Sequence, residues 1–162
     1  MSASKKIAFS AAIGAFYAAL TLALAPIGFG PVQFRVSEAL TVLPFIFPAA
    51  TPGLFVGCLI SNIIGSGNIL DIVFGPLATL AAGLLTAKCR SKFLAPLPPV
   101  VINAVVIGLV LGYTSAPESF LLPSLIIGGQ IFVSQTVACY GLGLPLVHFL
   151  EKRKVSLSKR PD

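Results

Sequence analysis

Long apolar runs, broken only by short segments rich in glycine, proline and charge, most constrain how this sequence can fold. The run from Ile7 to Ala25 is about as long as the roughly 20 residues that an α-helix needs to cross a bilayer. Charged residues make up only 10% of the 162 residues, compared with roughly 25% in soluble domains. Because a water-soluble fold could not bury this much apolar surface, we expect an all-α polytopic membrane protein.

The turn signals between the runs predict six transmembrane helices in a single integral membrane domain of residues 1–162. The predicted spans are roughly 7–25, 38–47, 53–64, 69–87, 99–113 and 120–150. Spans two and three are short, because at about 1.5 Å per residue neither covers a hydrocarbon core of about 30 Å. Either neighbouring helices shield their ends or the pair is re-entrant. Pro26, directly after Ala23-Leu24-Ala25, indicates that the first span is retained rather than cleaved as a signal peptide.

The basic residues predict which side of the membrane each loop faces, because Lys and Arg beside membrane spans stay in the cytoplasm. Six spans place both termini, the loop Lys88–Lys92 and the basic tail 151–162 inside. Arg35 is then the one basic residue outside among the eleven. An odd number of spans would put the tail outside. The net charge of +6 therefore reflects topology, and we expect the lipid bilayer rather than nucleic acid as the partner.

A few polar residues lie in or beside the apolar runs, where polar groups are costly unless they have partners. In the six-span arrangement they converge on the outer face, where they can bind a polar solute. The candidate substrate-binding residues are Arg35, Glu38, Asn62, Asp71, Asn103, Gln130 and Gln135.

Most of these residues also have a purely structural interpretation. Arg35 and Glu38, three residues apart, can pair with each other, and Ser37 can cap span two. Asn68 and Asp71 have the spacing of a capping box at the start of span four. The three amides of spans five and six can simply tie helices together. The sequence leaves both interpretations open.

Motifs for nucleotide hydrolysis or nucleophilic catalysis are absent from the sequence. There is no GxxxxGK[ST] loop and no HExxH, CxxC or GxSxG pattern. Cys58, Cys89 and Cys139 are isolated and lack metal-ligand spacing. We therefore expect no enzyme activity, metal or cofactor, and ATP-driven transport would need another subunit to hydrolyse ATP.

Alanine recurs every fourth residue along the first span, at Ala11, Ala15, Ala19 and Ala23. Small residues at this spacing let another helix approach closely. The stripe either docks a partner protein or packs within the chain. We take Ala11, Ala15 and Ala19 as the candidate docking residues.

Five stretches of the sequence closely resemble the QueT family of bacterial membrane proteins. They are 33–45, 52–58, 71–75, 95–100 together with Asn103, and 143–146. The first reads QFRVSEALTVLPF and is long enough to be specific. One departure is Ser134-Gln135, where family members have a Gly-Glu pair. The resemblance then implies that a neutral side chain replaces a charged ligand contact at that position.

The resemblance implies a substrate-binding S component of an energy-coupling factor (ECF) transporter, which takes up queuosine precursors, deazaguanine-type bases, across the bacterial cell membrane. It also implies six helices, an outward-facing pocket lidded by the first loop, and docking through the alanines of span one. The chain would depend on an ECF module of one transmembrane coupling protein and two ATPases. A deazaguanine presents a carbonyl acceptor and adjacent N–H donors, which suit a carboxylate with an amide or Arg nearby. Its flat ring can stack on Phe34, Phe45 or Phe132.

Two other functions remain open at this stage. The same machinery can carry another vitamin-like solute, because the candidate side chains do not identify one ligand. A membrane scaffold without a small-molecule site would use the polar residues only to cap and tie helices. A pocket surrounded by Arg35, Glu38 and Asp71 would favour a solute-binding protein over the scaffold.

Overall fold

The described residues form helices and no strand. The computed structural model describes residues 2–29 and 33–158, apart from the side chains of 154–158. Gly30 and Pro31 of the predicted first loop, and Lys159 and Arg160 of the predicted tail, lie outside the described residues. The helices are α1 (Ala3–Ala23), α2 (Ala25–Gly28), a 3₁₀ helix (Val36–Phe45), α3 (Ala50–Gly65), α4 (Ile69–Thr86), α5 (Leu97–Ser115), a 3₁₀ turn (Pro117–Ser119), α6 (Leu121–Thr136), a π-helical segment (Val137–Gly143) and α7 (Leu144–Ser158).

Four helical stretches among the described residues are long and apolar enough to cross a membrane. They are Ala3–Ala23, Ile69–Thr86, Leu97–Ser115 and the continuous stretch Leu121–Arg153. Val36–Phe45 and Ala50–Gly65 are apolar but shorter. The predicted all-α membrane fold is confirmed at this level, and the number of six spans stays a prediction.

The second predicted span is a 3₁₀ helix rather than an α-helix. Pro44 lies inside it, and the residues from Ser37 to Pro44 are all buried. A 3₁₀ helix rises about 2.0 Å per residue, so ten residues extend about 20 Å, compared with about 15 Å for an α-helix. The segment therefore reaches further than its residue number suggests, and its neighbours bury it. Whether it crosses the membrane or is re-entrant is not decided by this burial.

The sixth predicted span is interrupted by the π-helical segment. Gly143 lies in this segment, and a Cβ atom at Gly143 would stand 2.8 Å from the backbone oxygen of Ala39 in the 3₁₀ helix. A glycine is therefore needed for this close approach. The two irregular helices pack directly against each other, and one of them carries Glu38.

Helices α1 and α3 are in backbone contact along a line of small residues. A Cβ atom at Gly14 would stand 2.6 Å from the oxygen of Gly53, and one at Gly57 would stand 2.5 Å from the oxygen of Gly14. Gly53 itself lies directly against the oxygen of Ser10. Such contacts are typical of close packing between membrane helices.

One end of the helical bundle carries the described basic residues other than Arg35. Lys92, in the loop between α4 and α5, lies 3.8 Å from Glu151 of α7. Near the start of α1, the ring of Phe9 packs 5.3 Å from that of Phe47, which follows the 3₁₀ helix. We call this the basic end.

The opposite end of the bundle contains Arg35, and we call it the Arg35 end. Asn68, before α4, donates a hydrogen bond of 3.2 Å to Thr114 near the end of α5. Arg35 reaches the first turn of α4 and the carbonyl of Gly28 in α2. The described chain therefore runs back and forth between the two ends, and which end faces the cytoplasm stays a prediction.

Candidate functional site

A buried carboxylate, Glu38, lies at the centre of a polar cluster between the helices. Tyr17 of α1 donates a hydrogen bond of 2.5 Å to its Oε1 atom, and Asn103 of α5 donates one of 3.1 Å to its Oε2 atom. Thr41 and Cys139 donate to its backbone oxygen. Helices α1 and α5 thus hold the side chain, and the π-helical segment and the 3₁₀ helix itself hold the backbone, of a residue that is 1% exposed.

Arg35 pairs with Asp71 rather than with Glu38. Its guanidinium Nη2 atom lies 3.1 Å from Oδ2 of Asp71, and both side chains are buried. The guanidinium also lies 4.8 Å from the centre of the Phe29 ring, and Nε donates to the oxygen of Gly28. The proposed pairing of Arg35 with Glu38 is therefore wrong, because the guanidinium forms its ion pair with Asp71, a carboxylate on another helix.

The start of α4 contains only half of the predicted capping box. Asn68 caps the helix, because its side-chain oxygen accepts from the backbone N–H of Leu70 at 3.0 Å. Asp71 instead turns to Arg35, and its backbone oxygen accepts from Asn62 at 2.9 Å. Asp71 thus belongs to the polar cluster, and its neighbour Asn62 joins α3 to it.

Ser37 does not cap the 3₁₀ helix in the structure. The first residue before this helix is Arg35, and the Ser37 hydroxyl shares a hydrogen bond of 2.6 Å with Thr21 of α1. Thr21 in turn donates to the backbone oxygen of Tyr17. The hydroxyl pair connects α1 to the segment that carries Arg35 and Glu38.

A small cavity lies beside this cluster, and four predicted residues line it: Arg35, Glu38, Asn103 and Gln135. Its volume is about 10 Å³, which is room for about one water molecule. Ile107 and Ile131 supply apolar walls. The cavity combines carboxylate, guanidinium and amide groups with apolar sides, which is the arrangement typical of small-molecule sites.

Larger hollows on the surface are poor candidates for a polar ligand. A groove of about 530 Å³ contains Phe34 and Gln130 together with Gly129, Val133, Ser134 and Val137. Phe34 and Gln130 are thus brought together outside the small cavity, and Gln130 is exposed. Phe45 and Phe132 also do not line the cavity, and Phe132 is 46% exposed. The small cavity is the better candidate site, because hydrogen-bonding groups converge there.

Sequence reasoning missed several residues of the site. Tyr17 is fully buried and donates to Glu38, and Gln33, Gly75 and Thr79 line the cavity. Tyr17 and Thr21 are four residues apart in the middle of an apolar helix, so they share one face. Polar side chains at this spacing were the available signal. Gly75 and Thr79, also four apart, place a residue without a side chain and a hydroxyl on one face of α4.

The alanine stripe of α1 faces away from the site. Ala11, Ala15 and Ala19 are exposed, whereas Gly14 and Ala18 on the adjacent stripe are buried. An open apolar groove of about 620 Å³ runs between α1 and α3, and Ala11 and Ala15 line it. Packing within the chain therefore uses the neighbouring stripe and leaves the alanines free at the surface.

Two comparisons with known proteins find relatives of this chain. The family described as the QueT transporter matches residues 7–152. The queuosine precursor transporter QueT of Lactococcus lactis subsp. cremoris (strain MG1363) is 39% identical over 72 residues, which are 43% of this chain and 42% of that protein. The matched stretch is thus less than half of either protein. No solved structure matches the chain. The match over residues 7–152 shows that this chain belongs to the QueT transporter family.

Proposed function

We propose that this protein is the substrate-binding subunit for uptake of a queuosine precursor, a deazaguanine-type base, and that it works through a shared ECF module. Membership of a transporter family and four long apolar helices identify a multi-pass membrane protein. The Lactococcus lactis relative is a queuosine precursor transporter, which supports the choice of substrate. The observation that carries the proposal is the buried Glu38 carboxylate beside a cavity lined by Arg35, Asn103 and Gln135.

The chemistry of the cavity suits the edge of a guanine-like base. Adjacent N–H donors of the base match the acceptor oxygens of Glu38, each of which has a further lone pair beyond the one that Tyr17 or Asn103 uses. Arg35 and the Gln135 amide can donate to the ring carbonyl. Ile107 and Ile131 contact the flat faces of the ring. A neutral Gln135 supplies a donor as well as an acceptor, which a glutamate at that position would not.

Binding of a base requires the cavity to widen. A volume of about 10 Å³ is far below the roughly 300–1,000 Å³ of typical ligand sites. Gln33 lines the cavity with a φ of 47°, an uncommon conformation for a residue with a side chain. The segment of Gln33 to Arg35 is the part of the wall that precedes the 3₁₀ helix. We propose that it moves outward to admit the base.

Docking to the ECF module uses the exposed alanine stripe in this proposal. Ala11 and Ala15 line an apolar groove, and Ala19 lies one turn further along α1. A helix of the transmembrane coupling protein can lie in this groove because Ala11, Gly14 and Ala15 along α1 are small. ATP hydrolysis then takes place on the two ATPases of that module.

The proposed topology has six spans, with the basic end in the cytoplasm and the Arg35 end outside. Gly67 and Ser91 lie at opposite ends of the bundle. In a protein with Cys89 replaced by Ala, a cysteine at Gly67 should react with an impermeant reagent added to whole cells, and a cysteine at Ser91 should not. The reverse labelling pattern would overturn the topology.

The identity of the substrate can be tested without choosing a ligand in advance. The protein is extracted in detergent from cells supplied with a deazaguanine base, and the small molecules that co-purify are identified by mass spectrometry. We expect the base with wild-type protein and much less with Glu38→Gln. Recovery of a different solute with the wild type would identify that solute as the substrate instead. No retained solute, together with no binding in titration, would favour a scaffold.

A further inference from the structure

Helix α6 exposes an amide side chain, whereas the other amides within the α-helices are buried. Helices α1 to α6 contain four amide side chains, and three of them, Asn62, Asn103 and Gln135, are buried. Gln130 of α6 is exposed, and no described residue forms a hydrogen bond with it. Gln130 also does not line the small cavity. Neither the candidate site nor the packing between helices therefore accounts for this amide.

The position of Gln130 along α6 makes its exposure costly in a membrane. It lies nine residues after Leu121, where the helix begins, which is about 13 Å along the axis at about 1.5 Å per residue. Ile126 and Val133, on the same side of the helix, are 55% and 63% exposed. A bilayer around this helix would surround the amide with acyl chains, which form no hydrogen bonds. Polar side chains within membrane helices almost always face a protein partner instead.

The surface beside Gln130 can admit a second helix. Gln130, Gly129, Val133 and Val137 line an open groove of about 530 Å³. Nothing in the chain blocks an approach at Gly129, where a Cβ atom would meet no atom within 4 Å. Small residues at such a position let membrane helices come close to each other. This groove shares no residue with the groove between α1 and α3, so both surfaces can be covered at once.

The chemistry of an amide favours a second copy of this chain as the occupant of the groove. An amide carries a donor and an acceptor, so two amides that face each other satisfy one another. Copies inserted in the same orientation are related by a two-fold axis along the membrane normal, which brings equivalent residues together at the same depth. A second copy therefore supplies an amide at the depth of Gln130. The residues that line the groove are uncharged, so two copies do not repel each other there.

We propose that this protein forms a two-fold dimer in the membrane through α6, with the two Gln130 side chains paired across the axis. Nε2 of each Gln130 donates a hydrogen bond to Oε1 of the other. Val133 and Val137 of each copy pack beside this pair, and Gly129 allows the close approach. The alanine stripe of α1 remains open to another protein. The dimer does not depend on which solute the protein binds.

Disulfide cross-linking in native membranes tests which face forms the dimer. In a protein with Cys89 replaced by Ala, the two remaining cysteines, Cys58 and Cys139, are buried. Val133→Cys adds a thiol in the groove, and Leu77→Cys adds one at a 48% exposed position of α4, which does not line the groove. We expect oxidation with copper phenanthroline to produce a cross-linked dimer with Val133→Cys and to leave Leu77→Cys monomeric. Equal cross-linking of the two would indicate random collision and overturn the interface.

Energy transfer between labelled copies in phosphatidylcholine vesicles measures the contribution of the amide. Donor and acceptor dyes are attached to the full-length protein at Cys89, the cysteine that is not buried, and the transfer is recorded over a range of protein-to-lipid ratios. Gln130→Leu should raise the dissociation constant of the dimer by about threefold to thirtyfold, the range expected for hydrogen bonds between membrane helices. Gln130→Asn keeps an amide and should raise the constant less than Gln130→Leu does.

Four other outcomes would overturn the proposal. A wild-type protein that stays monomeric at every protein-to-lipid ratio would exclude the dimer. An unchanged dissociation constant in Gln130→Leu would show that the amide does not lie in the interface. Cross-linking of Val133→Cys to a different membrane protein would assign the groove to that protein. Loss of solute binding in Gln130→Leu, with dimer formation unchanged, would return Gln130 to the substrate-binding residues.

Discussion

The two faces of helix α1 differ in almost every property. The inward face carries Tyr17 and Thr21, which are buried and hydrogen-bonded to the segment of Ser37 and Glu38. The outward face carries Ala11, Ala15 and Ala19, which are exposed beside an apolar groove. One helix therefore contacts the candidate ligand site on one side and a candidate docking surface on the other. The comparison shows how binding and assembly can be linked through a rigid element yet altered separately by mutation.

Bulk on the outward face should have the largest effect on assembly. Replacing Ala15 by Trp fills the groove between α1 and α3, so an approaching helix would be pushed away. We expect little or no co-purification of the ECF proteins with Ala15→Trp, and the same for Ala11→Trp, measured by affinity pull-down from cells. Ligand affinity should stay within about twofold of wild type, because packing effects are local for distant sites. Normal recovery of the partner proteins with both variants would show that the stripe does not dock them.

A change on the inward face should have the opposite pattern. Tyr17→Phe removes only the hydroxyl that donates to Glu38 Oε1. Hydrogen bonds to charged groups contribute about 1.5–3 kcal/mol, so ligand binding should weaken by about tenfold or more. Titration of the base gives the affinity, and pull-down of the ECF proteins should be unchanged. Unaltered affinity with Tyr17→Phe would mean that the hydrogen bond from Tyr17 to Glu38 does not contribute to ligand binding.

The contact between α1 and α3 should respond to a single methyl group. Gly57→Ala places a Cβ atom 2.5 Å from the backbone oxygen of Gly14, where neither helix can give way easily. Overpacking of this kind costs about 1–3 kcal/mol, which should lower the thermal unfolding temperature in detergent. Gly129→Ala is the control, because no atom lies within 4 Å of the added methyl group. Equal stability of the two variants would contradict the close packing of α1 and α3.

The smallest expected effect concerns the cap of α4. Asn68→Ala removes the side-chain oxygen that accepts from Leu70, and loss of such a cap costs about 1 kcal/mol. Asn68→Asp keeps the acceptor but loses the donor to Thr114, so it should restore most of the stability, as measured by thermal unfolding. Since Asn68 lies outside the cavity, ligand affinity should be nearly constant in both variants. A large loss of affinity would place Asn68 in the site.

The sequence predicted the helices well and the partners of side chains poorly. Apolar length and turn residues predicted the span 69–87, and the structure has a helix at Ile69–Thr86. The conformation of Val36–Phe45 was not predictable, because a 3₁₀ helix results from burial on every side and from Pro44 rather than from a periodic pattern. The π-helical segment of Val137–Gly143 likewise depends on close packing against the 3₁₀ helix.

The composition of the site was predictable only in part. Arg35, Glu38, Asn103 and Gln135 were expected and line one cavity, because charged and amide side chains are rare in apolar helices and mark polar sites. The pairing of Arg35 with Asp71 joins residues 36 positions apart, whereas local spacing suggested Glu38. Sequence spacing predicts contacts within a helix, but contacts between helices depend on how the helices cross.

The central claim is that Glu38 is the carboxylate that binds a deazaguanine-type base, and titration of such a base against wild-type protein and Glu38→Gln tests it most directly. Glu118→Gln, at an exposed acidic residue, is the matched control and should bind as the wild type does. The account predicts at least about tenfold weaker binding by Glu38→Gln, because the exchange removes the charge and replaces one of the two acceptor oxygens, which accept from Tyr17 and Asn103, by an NH2 donor. Wild-type affinity in Glu38→Gln would show that Glu38 does not bind the base. No binding of the base by the wild-type protein would contradict the claim as a whole.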